Sequence, residues 1–183
     1  MTKNSSIYSL GDIVVHRSYG VGTIDGIERK PIKGVVVKCF KVKTENGNYW
    51  FPTEGLDNHR IHPVASQELI QKAIIIIRSA PQGLDGDQLH WKERIDLVQS
   101  DGDFLAISSL VRDLDALKNT EKLTQIQNNA LKTLENRLLR EWAASSEVEV
   151  RSIRPKFQAY FNESKAYIPK GNQNETKSTI RTG

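Results

Sequence analysis

The chain has few of the residues on which covalent or metal-based stabilisation depends. Its 183 residues include one cysteine, Cys39, so neither an internal disulfide nor a cysteine-based metal site is expected. No apolar run approaches the roughly 18 residues that a membrane-spanning helix needs, and no apolar signal core follows Met1. We therefore expect a cytoplasmic protein of ordinary globular composition, with Cys39 as a small apolar residue in a strand.

The excess of positive over negative charge is also small. The net charge is +4, divided into +3 over residues 1–63, −1 over residues 64–160 and +2 over residues 161–183. Nucleic-acid binding by electrostatics alone requires a basic surface. The middle of the chain is not basic, so its charge does not by itself indicate such a surface.

Recognisable catalytic and metal-binding patterns are missing as well. No P-loop, dinucleotide fingerprint or nucleophile elbow is present. His59 and His62 have a metal-ligand spacing only in a helix, and residues 82–87 lack the ligands of an EF-hand loop. The acid pair Asp113 and Asp115 is expected on a solvated helix face. We therefore expect no enzyme, no cofactor and no metal.

The N-terminal third has the pattern of short strands separated by glycine-containing turns. Asn46-Gly47 is the strongest turn signal, because both residues tolerate positive φ and suit a two-residue type I′ hairpin. The pattern predicts a small, strongly bent antiparallel sheet or open barrel, with strands near 12–16, 21–28, 35–43, 48–52 and 59–62.

Two surface features of this sheet have alternative interpretations. Arg29, Lys30 and Lys33 lie around one turn, which is either a solvated turn or a binding site. Trp50 should point away from its neighbours on either side, because successive side chains of a strand alternate between faces. Trp50 is then either an outward-facing interface anchor or buried in the seam with the next domain.

After Pro63 the apolar residues recur at helical spacing. The pattern predicts a helix capped by Ser66, a helix that begins near Trp91, a helix near 103–117 capped by Asp103, a helix near 120–143 and a last helix near 146–161. Pro155 should break or kink the last of these. Residues 162–183 are polar and aperiodic, which predicts a disordered, weakly basic tail.

Trp91 lies in the first turn of its helix, after a glycine-rich loop and next to Lys92 and Arg94. An aromatic ring with flanking cations can rest on nucleic acid, with the cations on phosphates and the ring against a base or in the minor groove. The alternative is that Trp91 belongs to the core.

Two groups of motifs lie within a resemblance to a known family that runs over about residues 11–142. The first group is G-D-I-V-V-H-R-S-Y-G-V-G-T-I-D-G-I-E, I-K-G and N-Y-W-F-P; the second is W-K-E-R and D-G-D-F-L-A-I-S-S-L-V-R-D-L. Together they resemble the CarD/CdnL family of bacterial transcription regulators. The first group is similar to the Tudor-like module that is also found in the transcription-repair coupling factor Mfd. No helicase motif follows, which excludes the coupling factor itself.

The resemblance implies an α+β protein in which a small Tudor-like antiparallel β-barrel precedes an all-α C-terminal domain. It implies a flexible lead over 1–10, a polymerase-interacting domain over 11–64, a helical DNA-contacting domain over 65–161 and a tail over 162–183. The family module binds the β subunit of RNA polymerase, and the helical domain wedges a tryptophan into the minor groove of promoter DNA at the upstream edge of the bubble. Family members typically stabilise the open promoter complex.

By position, the resemblance implies polymerase contacts by Lys30 and by its neighbour Arg29, and the expected surface also includes Lys33 and Trp50. Trp50 stands where the family has a second basic contact. In the helical domain, Trp91 matches the DNA wedge, with Lys92 and Arg94 at phosphate contacts. We expect a monomer that binds polymerase and promoter DNA. The alternative is a protein-only adaptor of polymerase that does not contact DNA.

Overall fold

The computed structural model describes residues 7–54, 60–101 and 103–168 as an antiparallel sheet followed by helices. The strands are β1 (Ile13–His16), β2 (Gly20–Ile32), β3 (Val35–Thr44), β4 (Gly47–Pro52) and β5 (Ile61–Pro63). The helices are α1 (Gln67–Arg78), α2 (Gln88–Asp101), α3 (Phe104–Leu117), α4 (Gln125–Ser145) and α5 (Val150–Lys165). The predicted α+β fold class is confirmed. None of the helices in the described ranges is long and apolar enough to cross a membrane.

The five strands pair in the order β4-β3-β2-β1-β5. A bulge between Ile24 and Gly26 shifts the register of β2 against β3 and bends the sheet. One face carries an apolar core: Val14, Ile24, Phe40, Val42, Tyr49, Phe51 and Ile61. Tyr8 lies in the lead that was predicted to be flexible, yet it packs on this core and its ring meets that of Phe51 edge-on.

Two hairpins of the sheet have different turn geometries. Lys33-Gly34 joins β2 to β3 with φ of 49° and 80°, the paired positive angles of a type I′ turn. The hairpin expected at Asn46-Gly47 is present, but Thr44 pairs with Gly47, so the central residues are Glu45-Asn46. Neither Glu45 nor Asn46 has a positive φ; only Gly47, the first residue of β4, does. The type I′ geometry predicted for Asn46-Gly47 is therefore wrong.

The helix starts follow local capping chemistry. The Ser66 hydroxyl accepts from the Leu69 N–H, and the Asp103 carboxylate accepts from the Ala106 N–H, as expected. Helix α4 begins later than predicted, because Thr124 forms a capping box with Gln127.

The helices enclose a second core that is separate from that of the sheet. Its largest fully buried side chains include Trp91, Phe157, Ile70, Ile77, Ile95, Ile107 and Leu110. Helix α5 continues through Pro155 to Lys165, so the predicted break does not occur. Ser164 is buried and its hydroxyl donates to the Ser79 carbonyl oxygen, which places residues 162–165 in packed helix instead of the predicted tail.

A buried carboxylate joins three parts of the helical core. The Asp113 side chain is 0 % exposed and accepts from the Gln82 N–H at 2.9 Å, from Arg112 Nε at 2.7 Å and from Arg94 Nη2. Arg112 also donates to the Ser79 hydroxyl at 2.7 Å. This network corrects the expectation that Asp113 lies on a solvated face. It connects α2, α3 and the segment after α1.

A second buried carboxylate, that of Glu141 on α4, lies where the helices meet the end of the sheet. It accepts from the Ala65 N–H at 3.1 Å, and His62 Nδ1 lies 3.8 Å away. Burial raises the pKa of Glu141 to about 7, although Arg137 acts in the opposite direction. A surface ion pair between Arg140 and Glu45 adds a further contact between α4 and the sheet.

Replacement of Asp113 by Ala should lower the free energy of unfolding by about 3–5 kcal/mol, because it leaves the buried Arg112 guanidinium and the partly buried Arg94 guanidinium without their anion. Urea unfolding followed by circular dichroism measures this change. Asp96→Ala is the matched control, since Asp96 is exposed and pairs weakly with Lys92. An equal effect of the two substitutions would show that Asp113 does not hold the helices together.

The stability contribution of Glu141 should depend on pH. Because its pKa rises from 4.5 to about 7 on folding, the folded state holds more protons than the unfolded state between these values. Its contribution therefore falls by up to about 3 kcal/mol as the pH rises through this window. Burial lowers the pKa of His62, which gives an opposite slope in the wild type and in the variant alike.

Glu141→Gln removes only the first slope, so the difference in unfolding free energy between wild type and variant should shift steadily in favour of the variant from about pH 4.5 to about pH 7. Urea unfolding at a series of pH values measures it. A difference that does not change with pH would contradict a raised pKa at this position.

Candidate functional site

The outer face of the sheet carries a cluster of exposed charged and aromatic side chains. Tyr49 and Phe51 point into the core, and Trp50 points outward with 39 % of its surface exposed, as the alternation of β4 predicts. Lys41 lies opposite Trp50 across β3 and β4. Glu28 and Lys30 reach the same place from β2; we call Glu28, Lys30, Lys41 and Trp50 the Trp50 face.

The Trp50 face is organised around the Glu28 carboxylate. Lys30 Nζ lies 2.9 Å from Glu28 Oε2, Trp50 Nε1 donates to the same oxygen at 3.0 Å, and Lys41 Nζ lies 3.6 Å from Oε1. The Lys30 ammonium also stands 4.1 Å from the centroid of the Trp50 ring, a cation–π distance. The hydrogen bond from Lys30 holds the pKa of Glu28 below its ordinary value.

The other two predicted polymerase contacts do not join this cluster. Arg29 alternates with Lys30 along β2, so it faces the opposite side of the sheet and pairs across the strands with Lys38. Lys33 lies in the turn at the end of the hairpin. The cluster of three cations expected around this turn is therefore divided between two faces and the turn.

The predicted DNA wedge lies inside the protein. Trp91 is 2 % exposed and belongs to the helical core. The Arg94 guanidinium lies 5.3 Å from the centroid of the Trp91 ring and donates to the buried Asp113 carboxylate. In this structure Trp91 and Arg94 are structural residues. Of the two interpretations of Trp91, the structure has the one in which it belongs to the core.

Lys92 is the one predicted DNA contact that the structure leaves at the surface, where it lies 3.7 Å from the Asp96 carboxylate. Next to it is a groove of about 280 Å³ between α2 and the start of α4. Leu89, 62 % exposed, and Ile126 line the groove, and the buried Trp91 forms part of its wall.

The histidines show no sign of a metal site in the described part of the chain. No three histidine, cysteine or carboxylate side chains come together there as metal ligands would. His62 Nδ1 lies 2.7 Å from the Pro63 carbonyl oxygen, and His59 falls outside the described residues.

A comparison with protein families identifies the sheet. Residues 8–74, which span β1 to β5 and most of α1, match the CarD-like/TRCF RID domain. The N-terminal part of this chain is a CarD-like/TRCF RID domain. RID domains are non-catalytic modules that interact with RNA polymerase, so the match supports a transcription-related role in which the chain binds polymerase. A comparison of the whole chain with curated proteins gives no significant match.

Two residues of the Trp50 face, Glu28 and Lys41, were not predicted from the sequence. Glu28 is two residues from Lys30 on β2, and that spacing was the available signal that the two share a face. Lys41 joins them through the pairing of β3 with β4, which depends on the register of the hairpin.

The different exposure of the tryptophans can be tested by fluorescence. Because collisional quenching needs access to the ring, Trp50→Phe should remove most of the emission that acrylamide quenches, whereas Trp91→Phe should leave it in place. The third tryptophan, Trp142, is also buried and is present in both variants. Loss of the quenchable emission in Trp91→Phe would mean that this ring is exposed in solution.

Proposed function

We propose that this protein is a transcription regulator that binds the β subunit of RNA polymerase through its RID domain and stabilises the open promoter complex. In this proposal the helical part of the chain contacts DNA at the upstream edge of the bubble. The observation that carries the proposal is the coincidence of a RID domain with an exposed Trp50 face on its sheet.

The chemistry of the Trp50 face suits a protein partner. An exposed tryptophan ring supplies a large rigid contact area at low conformational-entropy cost, and such residues are enriched among interface hot spots. Lys30 and Lys41 add positive charge beside the ring, which favours a partner with acidic side chains. The Trp50 face therefore supports the proposed contact with the β subunit through Lys30 and Trp50.

Stabilisation of the open complex needs only a modest difference in affinity. A protein that binds the open complex more tightly than the closed complex shifts the equilibrium by that difference, and tenfold corresponds to about 1.4 kcal/mol. The helical part is almost uncharged, with a net charge of −1 over residues 64–160. Binding through the RID domain makes a weak DNA contact intramolecular and so raises its effective concentration.

Lys92 and the exposed groove beside it are the part of the helical surface that we propose for the DNA contact. Lys92 can reach a phosphate as it stands, and Leu89 offers an exposed apolar side chain one turn away. Insertion of Trp91 itself would require the first turn of α2 to leave the core.

The burial of Trp91 and the ion pair of Arg94 with Asp113 favour a second candidate function. A protein-only adaptor would use the RID domain to recruit another protein to polymerase and would not touch DNA. The two candidates share the polymerase contact and differ in what the helical surface binds.

Binding of full-length protein to purified core RNA polymerase tests the shared part. Lys30→Glu reverses a charge on the Trp50 face and should weaken binding at least about tenfold. Lys72→Glu is the matched control, because Lys72 is also an exposed lysine paired with a glutamate, but on α1. Equal affinities of the two variants would place the contact elsewhere on the protein.

The lifetime of the open complex at saturating protein separates the two candidates. The regulator should lengthen this lifetime, and Lys92→Ala should lengthen it less than wild type does, without changing polymerase binding. A photo-crosslinking amino acid at position 89 should react with promoter DNA. An adaptor gives no crosslink to DNA and no change in lifetime.

A further inference from the structure

The Glu28 carboxylate occupies the centre of a site that is built to receive a carboxylate. Two ammonium groups and one indole N–H converge on it at 2.9, 3.6 and 3.0 Å. Charge-assisted donors of this kind are suited to a carboxylate because it accepts at both oxygens and carries the opposite charge. The site is formed by β2, β3 and β4 together.

This arrangement is exposed, and its contribution to stability is therefore small. The side chains of Glu28, Lys30 and Lys41 are each about a third exposed, and the Trp50 ring lies at the surface. Exposed ion pairs typically contribute little to the free energy of folding. A carboxylate from another protein can reach the same donors from solvent, provided that Glu28 moves aside.

Glu28 also reduces the charge that the Trp50 face presents. With Glu28 ionised, the two lysines and the carboxylate have a net charge of +1, and the hydrogen bond from Lys30 lowers the pKa of Glu28 and so favours this ionised form. The donors that would attract an acidic partner are thus already engaged by a residue of the same chain.

We propose that Glu28 is an internal substitute for an acidic side chain of the polymerase and that it restrains binding at the Trp50 face. This inference rests on the proposed function. On binding, a partner carboxylate takes the place of Glu28 on Lys30 and Lys41, and Glu28 turns to solvent. The exchange makes the face selective for a partner that places a carboxylate beside an apolar surface for Trp50.

Glu28→Gln tests the inference on the full-length protein with purified core RNA polymerase. Glutamine keeps the shape and one acceptor oxygen for Trp50 Nε1 but removes the competing charge. The variant should bind about two- to fivefold more tightly than wild type, the range that an exposed ion pair allows. Its affinity should also depend more steeply on salt concentration, because the face then carries a larger net charge.

The control is Glu68→Gln, which removes the same charge from another exposed lysine–glutamate pair, on α1. Tighter binding by Glu28→Gln, with no tightening by Glu68→Gln, supports the inference. Equal tightening by both variants indicates a general charge effect and overturns it. Unchanged or weaker binding of Glu28→Gln overturns it as well, and the proposed function still stands if wild type binds and Lys30→Glu does not. Failure of both wild type and Glu28→Gln to bind overturns the proposed function and this inference together.

Discussion

The Asp113 carboxylate is the interaction on which the arrangement of the helices depends. A carboxylate that is fully removed from water is stable only if cationic donors compensate for the lost hydration. Arg112 and Arg94 provide that compensation from α3 and α2. Because Arg94 must lie against Asp113, the first turns of α2 are fixed in rotation and Trp91 faces the core. Two of the three side chains predicted to contact DNA, Trp91 and Arg94, are thus part of the packing of the helices.

The positions of the strands could be predicted approximately from the sequence, because their signals are local. Alternation along β4 was enough to predict that Trp50 faces away from its two neighbours, and of the two interpretations left open the structure has the exposed one. The residue opposite Trp50 on β3 could not be predicted from alternation, because it depends on the register of the hairpin. A loop centred on Asn46-Gly47 would set Lys43 opposite Trp50, whereas the observed loop sets Lys41 there. Both lysines lie on the same face of β3. The character of the surface therefore followed from the sequence, but its particular ion pairs did not.

In the helical part, two helix starts were predicted well and the interior was predicted poorly. Caps such as Ser66 and Asp103 involve neighbours three residues away, and these were found. The pairing of Arg94 with Asp113 joins positions 19 apart, and no local pattern distinguishes a buried ion pair from charged residues on a solvated face. The role of Trp91 depended on that pairing, so the sequence left both of its interpretations open.

Helix α4 connects the groove to the region where the helices meet the sheet. Near its C-terminal end, Glu141 contacts the segment after β5 and Arg140 contacts the loop between β3 and β4, and its N-terminal end forms one wall of the groove at Ile126. At 1.5 Å per residue, about 24 Å separate Gln125 from Glu141 along the axis. A tilt of about 10° at the C-terminal end would displace the groove by roughly 4 Å, more than half the width of a DNA minor groove. The contacts of Glu141 and Arg140 therefore influence the position of a surface several turns away.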